Sequence, residues 1–369
     1  MKFFLKTLTL FAFCLPFLSC AKDVTNIPAD HPMIQYYGRI DFSNPQKPRF
    51  AYSGVSINAK FTGTSLGIRL NNYSDADQNG NLLYNFYNVF VDGKLEVIKV
   101  ENGKHEFFPG RNLKDTVHTV LIFRRTEAFC GIGEFEGFIV DKGKELVKIL
   151  PSAKPRAIEF IGNSITCGYG NEGDDKSCPF SPETENNYQA YGAITARNLG
   201  ARYSAICFSG KGVIRNYDKS FTEPMPELYN GILPQEPSLK WDFSKQIPDV
   251  VVINLGTNDF AHENPDSTAF VTAYSNLLKK IRSNYRNARI FCITGPMIND
   301  AWPAGSNAKA TCTRFIKAAI KSRGDEKVFF FEMKSQGANG YGCDWHPNLR
   351  QHEINAAELT AFIRKEMGW

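Results

Sequence analysis

The sequence predicts an α/β chain in two parts: an N-terminal antiparallel β-sandwich, then a parallel sheet with helices on both faces. Two observations carry this. Residues 31–150 alternate apolar and polar side chains in short runs rich in Val, Ile, Phe and Tyr, the period of strands with one buried face. Residues 155–369 instead hold continuous apolar runs separated by helical patterns, the mark of strands covered on both sides. The length agrees, since 369 residues exceed what a single core usually organises. With 43% apolar and 22% charged residues the composition is that of an ordinary globular protein.

The first segment, "MKFFLKTLTLFAFCLPFLSC", carries two lysines, an apolar stretch and then Ser19-Cys20. That is the layout of a secretory signal, and the stretch is too short for a membrane span with the usual flanks. Ser19-Cys20 resembles a bacterial lipoprotein cleavage site. The expectation is a signal peptide over 1–19, lipidation at Cys20 and a tether over 20–30. The mature chain would then sit at the cell envelope, touching membrane only through the lipid, and would be secreted if Cys20 is not lipidated. Two of the five net positive charges are Lys2 and Lys6 of this leader, and no Lys/Arg cluster follows, so nucleic acid is not an expected partner.

In the β-rich part the runs "RFAYSGVSINAKFTGTSLGIRLNNY", "NFYNVFVDGKLEVIKVE" and "HTVLIFRRTEAFCGIGEFEGFIVD" read as strands. Asp92-Gly93 between two of them signals a tight hairpin. The polar stretch 71–81 reads as a loop. A proline-bounded linker, Pro151–Pro155, joins the halves. Beyond it "AIEFIG", "YSAICFSG", "DVVVINLGT", "ARIFCITGP" and "KVFFFEM" read as buried strands, with helices over 188–199, 267–285, 308–322 and 350–367.

Of nine cysteines, Cys14 and Cys20 belong to the leader. An odd number remains, so at least one thiol is free. Cys130, Cys207 and Cys292 sit in apolar runs and read as small buried hydrophobes. Cys167 and Cys178 lie close together in one loop and are the expected disulfide. No CxxC or Cys/His spacing indicates a metal, and no cofactor is expected.

Sites in open α/β sheets collect at the carboxyl ends of the strands. Those ends here carry Gly162-Asn163-Ser164, Ser209-Gly210-Lys211-Gly212, Gly256-Thr257-Asn258-Asp259 and Gly342-Cys343-Asp344-Trp345-His346. In this order the four blocks resemble the SGNH/GDSL hydrolases. With "RRTE" at 124–127, "SGKGVIRN" and "GCDWHPN", the mature chain resembles carbohydrate esterase family 2. The resemblance implies a jelly-roll followed by a flavodoxin-like SGNH domain. It also implies an enzyme that removes acetyl groups from plant polysaccharides such as xylan, mannan or gluco-oligosaccharides, with O-6 among the candidate positions. A GDSL lipase or lysophospholipase and a non-catalytic glycan-binding lipoprotein are the alternatives.

In this reading Ser164 is the nucleophile and His346 its base, since a free hydroxyl is too weak alone. Asp344 orients the imidazole. It stands two residues before the histidine, where most SGNH enzymes place the acid three before, so a main-chain carbonyl can support or replace it. The backbone N–H groups of Ser164 and Gly210 and the side chain of Asn258 form the oxyanion hole. Asn163, where the family usually has Asp, caps the helix that follows, and Asp259 braces its loop. Trp302, Trp345 and Tyr341 are candidates for stacking on a sugar ring.

Overall fold

The computed structural model describes residues 23–150 and 156–369. The leader, Cys20 and the linker 151–155 lie outside the described residues. The N-terminal half contains β1 (Val24–Ile27), β2 (Gln35–Tyr37), β3 (Arg49–Phe50), β4 (Ser56–Gly63), β5 (Leu66–Tyr73), β6 (Asn85–Val91), β7 (Lys94–Val100), β8 (Gly103–Gly110), β9 (Thr116–Arg124), β10 (Ile132–Asp141) and β11 (Leu146–Val147). One sheet runs β1-β10-β5-β8 with β3 against β10; the other runs β11-β4-β9-β6-β7 with β2 against β4. All these pairings are antiparallel. Both sheets contribute to one core through Phe61, Leu66, Val89, Ile122, Phe135 and Phe138. Asp92 and Gly93 both take positive φ in the two-residue turn that pairs Val91 with Lys94, as the hairpin signal requires.

Two boundaries differ from the sequence reading. Residues 24–27 do not form a free tether: β1 pairs with β10 from Val24–Asp141 to Ile27–Phe138, and Ile27 is buried in the core. The supposed loop 71–81 begins later, because Asn71 and Asn72 continue β5. Their side-chain amides donate to Glu134 and to the Val100 carbonyl, which lets polar residues stay in a buried strand.

The second half alternates strands and helices: β12 (Arg156–Gly162), α1 (Ser164–Cys167), α2 (Tyr191–Asn198), β13 (Ala201–Cys207), α3 (Met225–Leu228), β14 (Val250–Asn254), α4 (Ser267–Asn284), β15 (Arg289–Thr294), α5 (Ala308–Arg323), β16 (Val328–Glu332) and α6 (Leu349–Met367). The sheet is parallel in the order β13-β12-β14-β15-β16. Helices α4 and α5 pack on one face, around Phe270, Leu277 and Ile316, and α2 and α6 on the other, around Tyr191, Leu359 and Ile363. The chain reverses its direction of winding between β12 and β14, the crevice where such sheets bind ligands. The halves are fused rather than tethered: Ala51, Tyr52 and Ala128 lie in the same buried cluster as Val213, Leu228 and Ile253. Among the described residues no helix is long and apolar enough to cross a membrane.

Candidate active site

Ser164 opens α1 at the carboxyl end of β12, and Asn163 caps the helix by accepting the Ile165 N–H at 3.1 Å. Gly162 is required just before it, since a Cβ there would come within 2.0 Å of Thr166 Oγ1. That hydroxyl is itself tied to Tyr191 Oη at 2.9 Å. The turn thus holds the serine close to the strand end, buried except for 7% of its surface.

His346 Nε2 lies 2.8 Å from Ser164 Oγ. Its Nδ1 faces two main-chain carbonyls, of Asp344 at 3.0 Å and of Cys343 at 3.2 Å. Carbonyls only accept, so Nδ1 carries the proton and Nε2 presents its lone pair to the serine. The ring of Tyr169 stacks on the imidazole at 4.2 Å. Burial pulls the imidazole pKa down to about 4, against the smaller upward pull of the Asp344 and Cys343 carbonyls and the Asp344 charge. A base must be neutral to accept a proton, so activity is lost as pH falls through this value. The acid limb of kcat/KM on an acetyl ester should therefore lie near pH 4, well below the usual histidine value of about 6.5. A limb between pH 6 and 7 would contradict this.

The Asp344 carboxylate does not orient the imidazole. Its Oδ2 accepts from Tyr169 Oη at 2.8 Å and from the Phe180 N–H at 3.0 Å. Asp344 and Trp345 both have left-handed backbones, at φ +48° and +62°, and this turn swings the side chain away while bringing the carbonyl under His346. Such residues cost of order 1 kcal/mol or more each. The turn is held by Gly342 N–H to His346 O, Cys343 N–H to Gly170 O and Asp344 N–H to Cys178 O. Because the charge is not aimed at Nδ1, Asp344→Asn should retain kcat within about tenfold. Asparagine tolerates the left-handed turn and can still accept both bonds. A triad carboxylate changed to its amide loses about ten-thousandfold, and a drop of that size would restore Asp344 to the triad.

The disulfide joins Cys178 to Cys343, not to Cys167. Cys167 is a buried free thiol at the end of α1, within 4.8 Å of a carboxylate oxygen of Glu127 from the N-terminal half. The loop after it folds over to meet the histidine turn, so the partner of Cys178 lies 165 residues further along. Proximity in sequence misled because the helix and the loop carry the two sulfurs apart. The bridge fastens the residue whose carbonyl holds His346. Cys130, Cys207 and Cys292 are buried free thiols, as their apolar settings suggest.

Past the end of β13, which pairs with β12 up to Cys207 and Gly162, Gly210 turns at φ +78°. Among the described residues neither its N–H nor that of Ser164 donates to a protein carbonyl. Asn258 directs one amide N–H to Lys211 O at 2.9 Å, which leaves the other available. Asp259 is buried and accepts the N–H groups of Val213, Ile214 and Arg215, so it braces the loop after Gly210–Gly212. Burial raises its carboxyl to about 6 against those bonds. Tyr341 and Trp345 meet edge to face at 5.2 Å, with Lys176 over the indole at 4.1 Å. Trp302 stands apart on the loop after β15, largely exposed.

Main-chain carbonyls do take the place beside the imidazole that the short Asp344 spacing left open to them, whereas two neighbours escaped the sequence reading: Tyr169, and Glu127, whose carboxylate holds Ser209. Only Glu127 left a trace in sequence, within "RRTE".

A serine and an imidazole at the switch point of a 2-1-3-4-5 parallel sheet, beside unengaged backbone donors, define a hydrolase of the GDSL-like class. The GDSL-like lipase/acylhydrolase family model matches residues 160–354, and the model of the carbohydrate esterase 2 N-terminal region matches residues 36–149. The chain belongs to carbohydrate esterase family 2. A family two carbohydrate esterase from Clostridium thermocellum, solved with cellohexaose, is 39% identical with a TM-score of 0.82, over 91% of this chain and 99% of that one. The cellulase/esterase CelE of Acetivibrio thermocellus is 41% identical over 355 residues, 95% of this chain. The chain spans only 41% of that protein's length. An acetylxylan esterase / glucomannan deacetylase of Cellvibrio japonicus is 27% identical over 93% of this chain and 91% of its own.

Proposed function

We propose that the protein is a serine esterase that removes O-acetyl groups from plant cell-wall polysaccharides, such as xylan or glucomannan, through an acyl-enzyme. The observation that carries it is His346 Nε2 at 2.8 Å from Ser164 Oγ with the tautomer set by carbonyls. Ser164 Oγ attacks the acetyl carbonyl as Nε2 takes its proton. The negative oxygen of the tetrahedral intermediate is received by the N–H groups of Ser164 and Gly210 and the Asn258 amide. Collapse breaks the bond to the sugar oxygen, which leaves with the proton from His346. Water then attacks the acetyl-serine with His346 again as base, and acetate departs. Tyr341 and Trp345 offer aromatic surface beside the histidine for a sugar ring, and Trp302 a separate one. The names of the relatives above support the same substrate class.

Acetate release from acetylated xylan, glucomannan and cello-oligosaccharides, beside p-nitrophenyl acetate and palmitate, tests this. Acetate release with preference for the short ester is expected. Preference for palmitate would mean a lipase or lysophospholipase, and glycan binding without hydrolysis a binding protein. We further propose, from the leader alone, export and lipidation at Cys20, with the enzyme at the cell envelope. A Cys20→Ser chain should leave the membrane fraction; retention there would sink this proposal.

A further inference from the structure

The oxyanion loop is held from the other domain. Glu127 follows β9 in the N-terminal half, and its backbone is set by Arg124. That guanidinium is fully buried and donates to the carbonyls of Phe50, Thr126 and Glu127 at 3.0–3.1 Å and to Asn85 Oδ1 at 2.6 Å. The next residue, Arg125, reaches into the catalytic half, to the Glu183 and Glu185 carbonyls at 3.2 Å and to the Glu172 carboxylate. Between these anchors the wholly buried Glu127 carboxylate accepts the Ser209 N–H at 2.7 Å through one oxygen and the Ser209 hydroxyl through the other. Ser209 immediately precedes Gly210.

A second carboxyl completes the cluster. Glu185 Oε2 accepts the Glu127 N–H at 2.9 Å. Ligand atoms of Glu127, Glu185 and Cys167 lie within 4.8 Å of one another. Cys167 closes the short helix that Ser164 opens, so the cluster touches both the nucleophile's helix and the loop of Gly210.

We propose that Glu127, paired with Glu185 across the domain interface, is a positioning residue for the oxyanion hole, clamping Ser209 so that the Gly210 N–H is held towards the acyl oxygen. Two full negative charges this close in a dry interior repel, so the pair holds one proton and one charge. The buried Arg124 cation lies within electrostatic reach of Glu185. The remaining negative charge is spent on Ser209 donors rather than facing the acyl oxygen. A left-handed glycine gives the loop no side chain to anchor it, so its neighbour must supply the anchor. In this arrangement the β-domain is part of the catalytic machinery, and the two halves cannot be separated without loss of rate.

The inference rests on the esterase reading, and kinetics on the full chain separate the two. With p-nitrophenyl acetate, activity surviving in Ser164→Ala would overturn the reading and the inference together. With that variant dead, Glu127→Ala should lower kcat about thirtyfold or more, short of the roughly hundredfold or greater loss when a donor is removed outright. KM should stay within threefold. Binding of an alkylboronic acid, which imitates the tetrahedral intermediate at Ser164, should weaken by a similar factor. Glu127→Gln should recover most of both, because its amide oxygen still accepts the Ser209 N–H. Ser209→Ala, which removes only the hydroxyl end of the clamp and carries little folding risk, should lower kcat about fivefold. A kcat within twofold of wild type in Ser209→Ala and within threefold in Glu127→Ala would overturn the inference while the esterase reading stands. So would equal losses of kcat and boronate affinity in Glu127→Gln and Glu127→Ala. If Glu127→Ala does not fold, the Ser209→Ala kcat decides alone.

Discussion

Ser164→Ala and His346→Ala are each expected to lower kcat for acetyl-ester hydrolysis by roughly four to six orders of magnitude, with the folded state retained. The serine hydroxyl forms the covalent intermediate, and alanine has no atom to replace it. The imidazole loss is comparable because an alcohol near pH 7 is almost wholly protonated, and no other base is bonded to Ser164 Oγ among the described residues. The two losses should not add: once either partner is gone the other has nothing to act with, so the double variant should match the singles. Neither side chain belongs to the apolar clusters that hold the sheet and helices together, so neither change removes core packing. Burst-free steady-state kinetics on purified, folded protein checks this. Residual activity above a tenth of wild type in either variant would overturn the assignment.

The fold was legible because period and burial are written locally. Continuous apolar runs such as "DVVVINLGT" can only be covered on both faces, and β14 is. The Asp92-Gly93 turn needed no tertiary information. That Ser164 and His346 come together could be anticipated, because the loops that carry them lie at the carboxyl end of one parallel sheet, where loops converge. What could not be read depends on how loops cross. The Cys178–Cys343 bridge joins segments on opposite sides of the catalytic half in sequence. Whether Asp344 faced the imidazole turned on two left-handed residues, neither of them glycine, which no local propensity announces. Tyr169 touches His346 only because the disulfide-linked loop folds back over it. Glu127 stands in the "RRTE" run, yet its carboxylate meets Ser209 in the catalytic half, and the run does not say which loop it meets. The strand β1 escaped because four residues with a single buried side chain carry too little pattern to show alternation.

Asn258→Ala should lower kcat by roughly a hundredfold to a thousandfold with little change in KM. The side chain leaves the carboxyl end of β14, next to β12 and Ser164, and is buried except for 7% of its surface. One amide N–H is committed to the Lys211 carbonyl at 2.9 Å, which fixes the plane of the amide. The other is therefore fixed in direction before substrate arrives, and in the oxyanion role it needs no reorganisation when charge develops on the acyl oxygen. In the ground state that oxygen is a weakly polar ester carbonyl; in the tetrahedral intermediate it bears a full charge. The donor is thus worth far more in the transition state, and its loss falls on kcat rather than KM. Alanine also frees Lys211, next to Gly210, so the loss should lie towards the larger end of that range. Asn258→Asp separates the two effects. It keeps size and shape but offers an acceptor to the Lys211 carbonyl and a negative charge to the oxyanion, and it should be at least as inactive as alanine above its carboxyl pKa. If Asn258→Ala instead raises KM at unchanged kcat, Asn258 holds the substrate and not the oxyanion.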